Sequence, residues 1–185
     1  MKDWKNVWIL AEVNHGKLSP TAYELLNAGR KLADDLGEKL CAVLLGSGVK
    51  ALAQDLFEHG ADVAYVCDAE PLAQYVDDVY AKTLAAMIAQ YKPNKFLLPA
   101  TNLGRSLSAK TAIFAGTGLT ADATEVVIHK EDGQMHATRP TFGGNLMATI
   151  TCARTRPEMC SLRPMAYAKA ARVSGRTGEV IAFPF

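Results

Sequence analysis

Leu40-Cys41-Ala42-Val43-Leu44-Leu45-Gly46-Ser47-Gly48 decides the fold. Six apolar residues in a row, with no polar alternation, describe a strand buried on both faces. The Gly-Ser-Gly turn then leads into a helical stretch over 49–59, closed by Gly60. A strand covered on both faces needs helices above and below it, the arrangement of a parallel sheet. The same unit recurs outward from this stretch. Upstream, Val7-Trp8-Ile9-Leu10-Ala11 reads as a first strand, and Ser19-Pro20 supplies an N-cap residue and a first helical position. Leu25, Leu26, Gly29, Leu32, Ala33 and Leu36 then repeat at helical spacing until Gly37. Downstream, the pattern predicts a third strand over 63–67, one long helix over 72–91 stopped by Pro93, a fourth strand over 96–98 and a helix over 107–115.

After Gly118 the order changes. Residues 124–129 and 134–139 flank Asp132-Gly133, a two-residue hairpin signal, and a strand over 146–152 with a short one over 160–162 completes an antiparallel extension. The expected fold is therefore α/β: a doubly wound, mostly parallel sheet of the nucleotide-binding kind, like that of the adenine nucleotide α-hydrolases, carrying an antiparallel β extension.

Composition narrows the function. The 185 residues fit one domain, and 49% of them are hydrophobic, enough for a full core. Twenty Lys and Arg against 19 Asp and Glu leave a net charge of +1 with no run of like charges, which argues against a basic nucleic-acid binder and an acidic tail. No apolar run approaches the roughly 18 residues of a membrane span, and no signal peptide is visible, so a cytoplasmic protein is expected. Cys41, Cys67, Cys152 and Cys160 are scattered, mostly among apolar residues, without metal-ligand spacing, and read as buried thiols.

Ligands of open parallel sheets collect beyond the carboxyl ends of the strands. Three loops should lie there: 12–17, 46–48 and 99–106. The last carries Thr101, Asn102, Gly104, Arg105 and Ser106 ahead of a helix, suited to an anion or an interface, although any such loop needs capping and turning residues. Neither GxGxxG nor GxxxxGK[ST] occurs, and the absence of GxSxG leaves nucleophilic catalysis without support. No catalytic residue is assigned. A two-residue turn at Asp132-Gly133 would set His129 directly opposite His136 and Val126 opposite Arg139. Two imidazoles side by side could hold a metal, but no third ligand is evident on those strands, so a solvated pair and no metal site is expected. Arg139 falls on the more apolar face, where it needs a carboxylate of the fold, a bound ligand or a subunit. Phe142-Gly143-Gly144-Asn145 looks like a surface prepared for docking.

Pro99-Ala100-Thr101-Asn102-Leu103-Gly104-Arg105-Ser106-Leu107-Ser108, Gly116-Thr117-Gly118-Leu119-Thr120-Ala121-Asp122 and Arg139-Pro140-Thr141-Phe142-Gly143-Gly144-Asn145-Leu146-Met147-Ala148-Thr149-Ile150 together resemble the α subunit of electron transfer flavoprotein, in the family's order and spacing. The Gly-Leu-Thr-Ala-Asp wording is closer to the bacterial branch found with anaerobic acyl-CoA dehydrogenases, some members of which bifurcate electrons. The resemblance implies a heterodimer with a β subunit that carries electrons through FAD between acyl-CoA dehydrogenases and another redox partner. It implies an N-terminal domain over 1–165, with 166–185 as a connector towards an FAD-holding domain whose sequence this chain does not contain. FAD is then expected in the heterodimer and not in this chain alone. Arg139 matches the arginine of the family's Arg-Pro-x-x-Gly-Gly-Asn block; for the electron-bifurcating branch the resemblance implies that this arginine neighbours a second flavin held by the β subunit, where a guanidinium would raise the flavin's potential. The rival reading is a stand-alone adenine-nucleotide-binding module of the same fold.

Overall fold

The computed structural model describes residues 3–185, and of Phe142 the backbone alone. In chain order the elements are β1 (Val7–Leu10), a small hairpin of β2 (Val13–Asn14) and β3 (Lys17–Leu18), α1 (Pro20–Leu36), β4 (Leu40–Gly46), α2 (Ala53–Glu58), β5 (Val63–Asp68), α3 (Asp77–Tyr91), β6 (Lys95–Pro99), α4 (Asn102–Phe114), β7 (Leu119–Ala123), β8 (Glu125–Ile128), β9 (Met135–Thr141), β10 (Leu146–Ile150), β11 (Glu158–Leu162) and β12 (Glu179–Ala182). Seven of these strands form one sheet in the order β12-β5-β4-β1-β6-β11-β7, every neighbouring pair parallel. The chain builds outward from β1 through β4 to β5, then returns to β1's other side with β6. The topological switch point therefore lies between β1 and β6.

Alternate residues of the central strands feed two cores. Val7, Ile9, Ala42 and Leu44 pack with α1 and α2, whereas Trp8, Leu10, Cys41 and Val43 pack with α3 and α4. Gly29 lets α1 lie close on the sheet: a Cβ there would stand 2.7 Å from Leu40 Cδ1 and 2.9 Å from Ile9 Cγ2. Gly37 ends α1 in the left-handed conformation, as its position in the sequence predicts. Cys41, Cys67 and Cys160 are buried free thiols and Cys152 is half-buried. Burial pushes the Cys41 and Cys160 thiols up to about 12, so they behave as small apolar residues. Among the described residues no helix is long and apolar enough to cross a membrane.

The structure corrects the expected elements at three places. The helix over 72–91 is broken: a 3-10 turn occupies Glu70–Leu72, and α3 starts at Asp77, where Asp77 and Asp78 place carboxylates on the positive end of the helix dipole. The short strand near 160–162 is no part of the antiparallel extension. As β11 it lies parallel between β6 and β7, and all five of its residues are buried, which only the doubly covered sheet allows. The hairpin's turn is also longer than two residues. His129 N–H donates to Gln134 O at 2.9 Å and Gly133 N–H to His129 O at 2.8 Å, leaving 130–133 as the loop. The pairs become Val126↔Ala137 and Val127↔His136, with Arg139 opposite Ala148 of β10 rather than Val126. A shift of two residues preserves which side chains share a face. Arg139 therefore still lies on the side of Ala137 and Met135, which pack with α1's core.

A buried ion pair ties this second, three-stranded sheet (β10-β9-β8) to the first. Lys95 Nζ, at the start of β6, donates to Glu158 Oε1 at 2.6 Å and to Gly133 O at 2.9 Å; Glu158 Oε2 accepts the Met135 N–H at 2.6 Å. Arg156 closes on the same carboxylate at 3.0 Å. Burial holds the Lys95 ammonium below the ordinary lysine range, against the opposing pull of Glu158.

Residues 166–185, expected as a connector, run back along the domain. Ala170 N–H bonds Tyr23 O at 2.9 Å and Val173 N–H bonds Glu58 O at 2.7 Å, after which β12 adds to the edge of the main sheet beside β5. Arg172 pairs with Glu58 at 2.6 Å, and Arg176 meets Asp62, itself paired with Arg30, at 2.7 Å each.

Candidate functional site

Residues 101–106 are the cap and first turn of α4 rather than a loop. Thr101 is the N-cap, its Oγ1 accepting the Gly104 N–H at 2.9 Å. Gly104 is dictated by packing: a Cβ there would stand 1.9 Å from Pro99 O. The polar groups of this turn meet carboxylates of the chain itself. Thr101 Oγ1 donates to Glu12 Oε2 at 2.6 Å, Arg105 Nε to Asp122 Oδ1 at 3.0 Å, and the Ser106 hydroxyl to Asp77. Asn102 is the first residue of the helix. An arriving anion would face three negative groups here.

Leu10, Leu45, Tyr75, Tyr80, Leu103 and Leu107 line a crevice of about 40 Å³, with Glu12 at its edge. Beside it, His15, Gly16, Gly46 and Ser47 border an open hollow. The backbone N–H groups of Gly48 and Lys50 could cradle a phosphate, but they donate to the Asp68 carboxylate at 2.6 and 3.0 Å.

The β9–β10 arm is different. Arg139 Nε is buried and has no hydrogen-bond partner, and no carboxylate lies within ion-pair distance of Arg139 among the described residues. The turn that follows runs through Gly143 (φ 74°) and Gly144 (φ 89°), left-handed positions that favour glycine. Pro140, Thr141, Gly143, Gly144 and Arg163 surround a hollow of about 320 Å³. Arg163 Nε is also buried without a partner among the described residues. A half-buried guanidinium whose Nε has no partner, beside a glycine floor, suits a flat group that gains negative charge, which is the test a flavin must pass. The Phe142 side chain lies outside the described residues, and Asn145 is exposed at the end of the turn. Sequence reasoning missed Arg163; its signal is its position directly after the fully buried strand β11, where parallel sheets place ligand-facing residues.

His129 and His136 come together, diagonally rather than directly opposed: their rings stack with centroids 4.6 Å apart and planes 2° from parallel. The longer loop also brings Asp132 back to His129, with Oδ1 and Nδ1 3.3 Å apart. Asp132 is the third ligand-type residue that the shorter turn concealed.

Fold and arm together define a class: a doubly wound, nucleotide-binding-like α/β domain whose switch-point crevice is mostly apolar with Glu12 at its edge, and whose β9–β10 arm carries Arg139, its Nε without a partner among the described residues. The comparisons with known proteins narrow this. The model of the electron transfer flavoprotein domain matches residues 7–185. The chain is 45% identical over 183 residues to a protein named electron transfer flavoprotein subunit alpha from Thermoanaerobacterium thermosaccharolyticum, covering 99% of this chain and 55% of that protein. It is 42% identical over 184 residues to the FixB protein of Rhizobium meliloti, covering 97% and 52%. It is 40% identical over 192 residues to a protein named acryloyl-CoA reductase electron transfer subunit beta from Anaerotignum propionicum, covering 92% and 52%. This chain belongs to the electron transfer flavoprotein family. It spans about half the length of the curated relatives it matches.

Proposed function

We propose that this chain serves as the α-type, partner-docking part of a cytoplasmic electron transfer flavoprotein. In that role its β9–β10 arm packs against a β subunit and frames the flavin held there, while acyl-CoA dehydrogenase and a second redox partner exchange electrons through the assembly. The flavin supplies the electron-carrying chemistry; the chain supplies position and charge. The observation that carries this reading is Arg139, whose Nε is buried on the apolar side of the arm with no hydrogen-bond partner among the described residues. A buried N–H without an acceptor costs about 1–3 kcal/mol, so an acceptor from outside the chain is the economical explanation for the half-buried Arg139. Gly143 and Gly144 let backbone approach that partner closely, and the Phe142–Asn145 turn presents the contact. The carboxylate-lined first turn of α4, Thr101 to Ser106, is read as a structural cap.

The test is a redox titration of the assembled heterodimer with FAD bound. Arg139→Ala lowers the midpoint potential of the flavin beside it, because removing positive charge disfavours the reduced, more negative form. Arg139→Lys retains part of the effect. An unchanged potential in Arg139→Ala overturns the assignment. The module reading is tested by acid release of bound small molecules from the purified chain: adenine nucleotide would favour it, whereas the Asp68 carboxylate across the Gly48 turn argues for none.

A further inference from the structure

The tip of the β8–β9 hairpin carries a second cluster, on the face opposite Arg139. We propose that His129, Asp132 and His136 bind a borderline divalent transition-metal ion of the zinc class. One ligand atom from each lies within 4.8 Å of the other two. The His129 Nδ1 to Asp132 Oδ1 separation, 3.3 Å, already equals the edge of a tetrahedron, about 3.3 Å, around an ion with ligands at roughly 2.0–2.1 Å. The His136 ring, stacked on that of His129, supplies the third ligand-type nitrogen within the same 4.8 Å. His129 and Asp132 have side chains about two-fifths exposed, 42% and 41%, so solvent can fill the remaining positions.

The loop beneath these ligands is held without any ion. Asp132 Oδ1 accepts the Gln134 N–H at 2.9 Å, Lys95 grips Gly133 O, and Glu158 grips the Met135 N–H. The buried ion pair thus fixes the backbone from below and leaves the three ligand side chains pointing away from it. Two imidazole nitrogens and one carboxylate oxygen select zinc, nickel, cobalt or copper over calcium and magnesium, which take all-oxygen sites.

Calorimetric titration of the chain with zinc chloride, in a buffer that does not chelate, tests the site. One ion per chain is expected. His136→Ala and Asp132→Asn should each weaken binding by about tenfold or more, the order of loss seen when metal-site residues are changed. Asp132→Asn retains an oxygen for the Gln134 N–H, so the loop stays formed in that variant, and circular dichroism checks the fold of both. Cys152→Ser separates the site from adventitious thiol binding and should leave the affinity unchanged. Absence of a one-to-one binding heat, unchanged affinity in either the His136 or the Asp132 variant, or loss of binding in Cys152→Ser would each overturn the proposal.

Discussion

Two strands of five residues, β10 and β11, follow one another in the chain and meet opposite fates. β10 reads Leu-Met-Ala-Thr-Ile and lies on the surface, with Leu146 61% and Met147 58% exposed. β11 reads Glu-Met-Cys-Ser-Leu, is less apolar, and is buried throughout, Glu158 included. Burial here is allotted by topology. β11 is inserted between β6 and β7 in a sheet covered on both faces, whereas β10 pairs only with β9 and forms the edge of the smaller sheet. An apolar edge strand left open is normally avoided because it invites pairing with another chain. Its presence beside Arg139, with its unpartnered Nε, and a two-glycine turn fits the proposed docking role.

The contrast breaks first at Glu158. Glu158→Ala leaves the Lys95 ammonium buried without its carboxylate and frees the hairpin tip, an expected loss of about 3–5 kcal/mol. Urea denaturation measures it, and a loss under about 1 kcal/mol would mean that the two sheets are not held by this pair. Next comes the methionine of each strand. Met159 is fully buried, and Met159→Ala should cost about 2–5 kcal/mol through lost contacts and the cavity left behind.

Four of the seven strands of the main sheet, β1, β4, β5 and β6, are legible in the sequence because they are apolar runs followed by glycine, polar turns and helical spacing; β7 is not. β11 was not, because a strand that opens on glutamate conceals its burial: only the facing Lys95, 63 positions earlier in the chain, makes Glu158 tolerable inside. β12 was hidden for a related reason. Glu-Val-Ile-Ala has no strong signal of its own and becomes a strand through pairing with β5 and the ion pairs that precede it. At the candidate sites, Arg139 was placed on the correct face by parity alone, since a two-residue slip does not change sides. The same slip concealed Asp132, because a two-residue turn puts it in the turn itself, whereas a four-residue loop folds it back onto His129.

β12 and β10 are both exposed edges, and acid distinguishes them. The Asp62 carboxyl is pulled up by burial but held below its ordinary range by the Leu40 N–H, Arg30 and Arg176 together. Glu58 is held down by the Gly175 N–H, then by Arg172. Both groups take up protons in the unfolded chain before they do in the folded one. The stability they contribute is therefore complete above the unfolded carboxylate values, near pH 4, and is lost as pH falls through the lower folded values. Hydrogen-exchange protection of β12, relative to β4, should drop below about pH 4 while that of β10 relative to β4 does not. Parallel losses at both edges would show that the ion pairs do not hold the C-terminal segment.

The smallest expected effect on stability is the most telling for function. Met147 lies on the exposed strand, and Met147→Ala in the chain alone should change stability by no more than about 0.5 kcal/mol, as surface substitutions usually do. The same substitution in the presence of the β subunit should weaken association, because an exposed apolar side chain contributes only once a partner removes it from water. Paired with Met159→Ala, it makes one residue type report on two environments twelve positions apart. A cost above about 1 kcal/mol in the chain alone would mean that β10 is already packed in solution, and the link between its exposure and docking would fail. A negligible cost in both settings would place the interface elsewhere on the arm, at the turn from Phe142 to Asn145, and Arg139 would have to find its partner there.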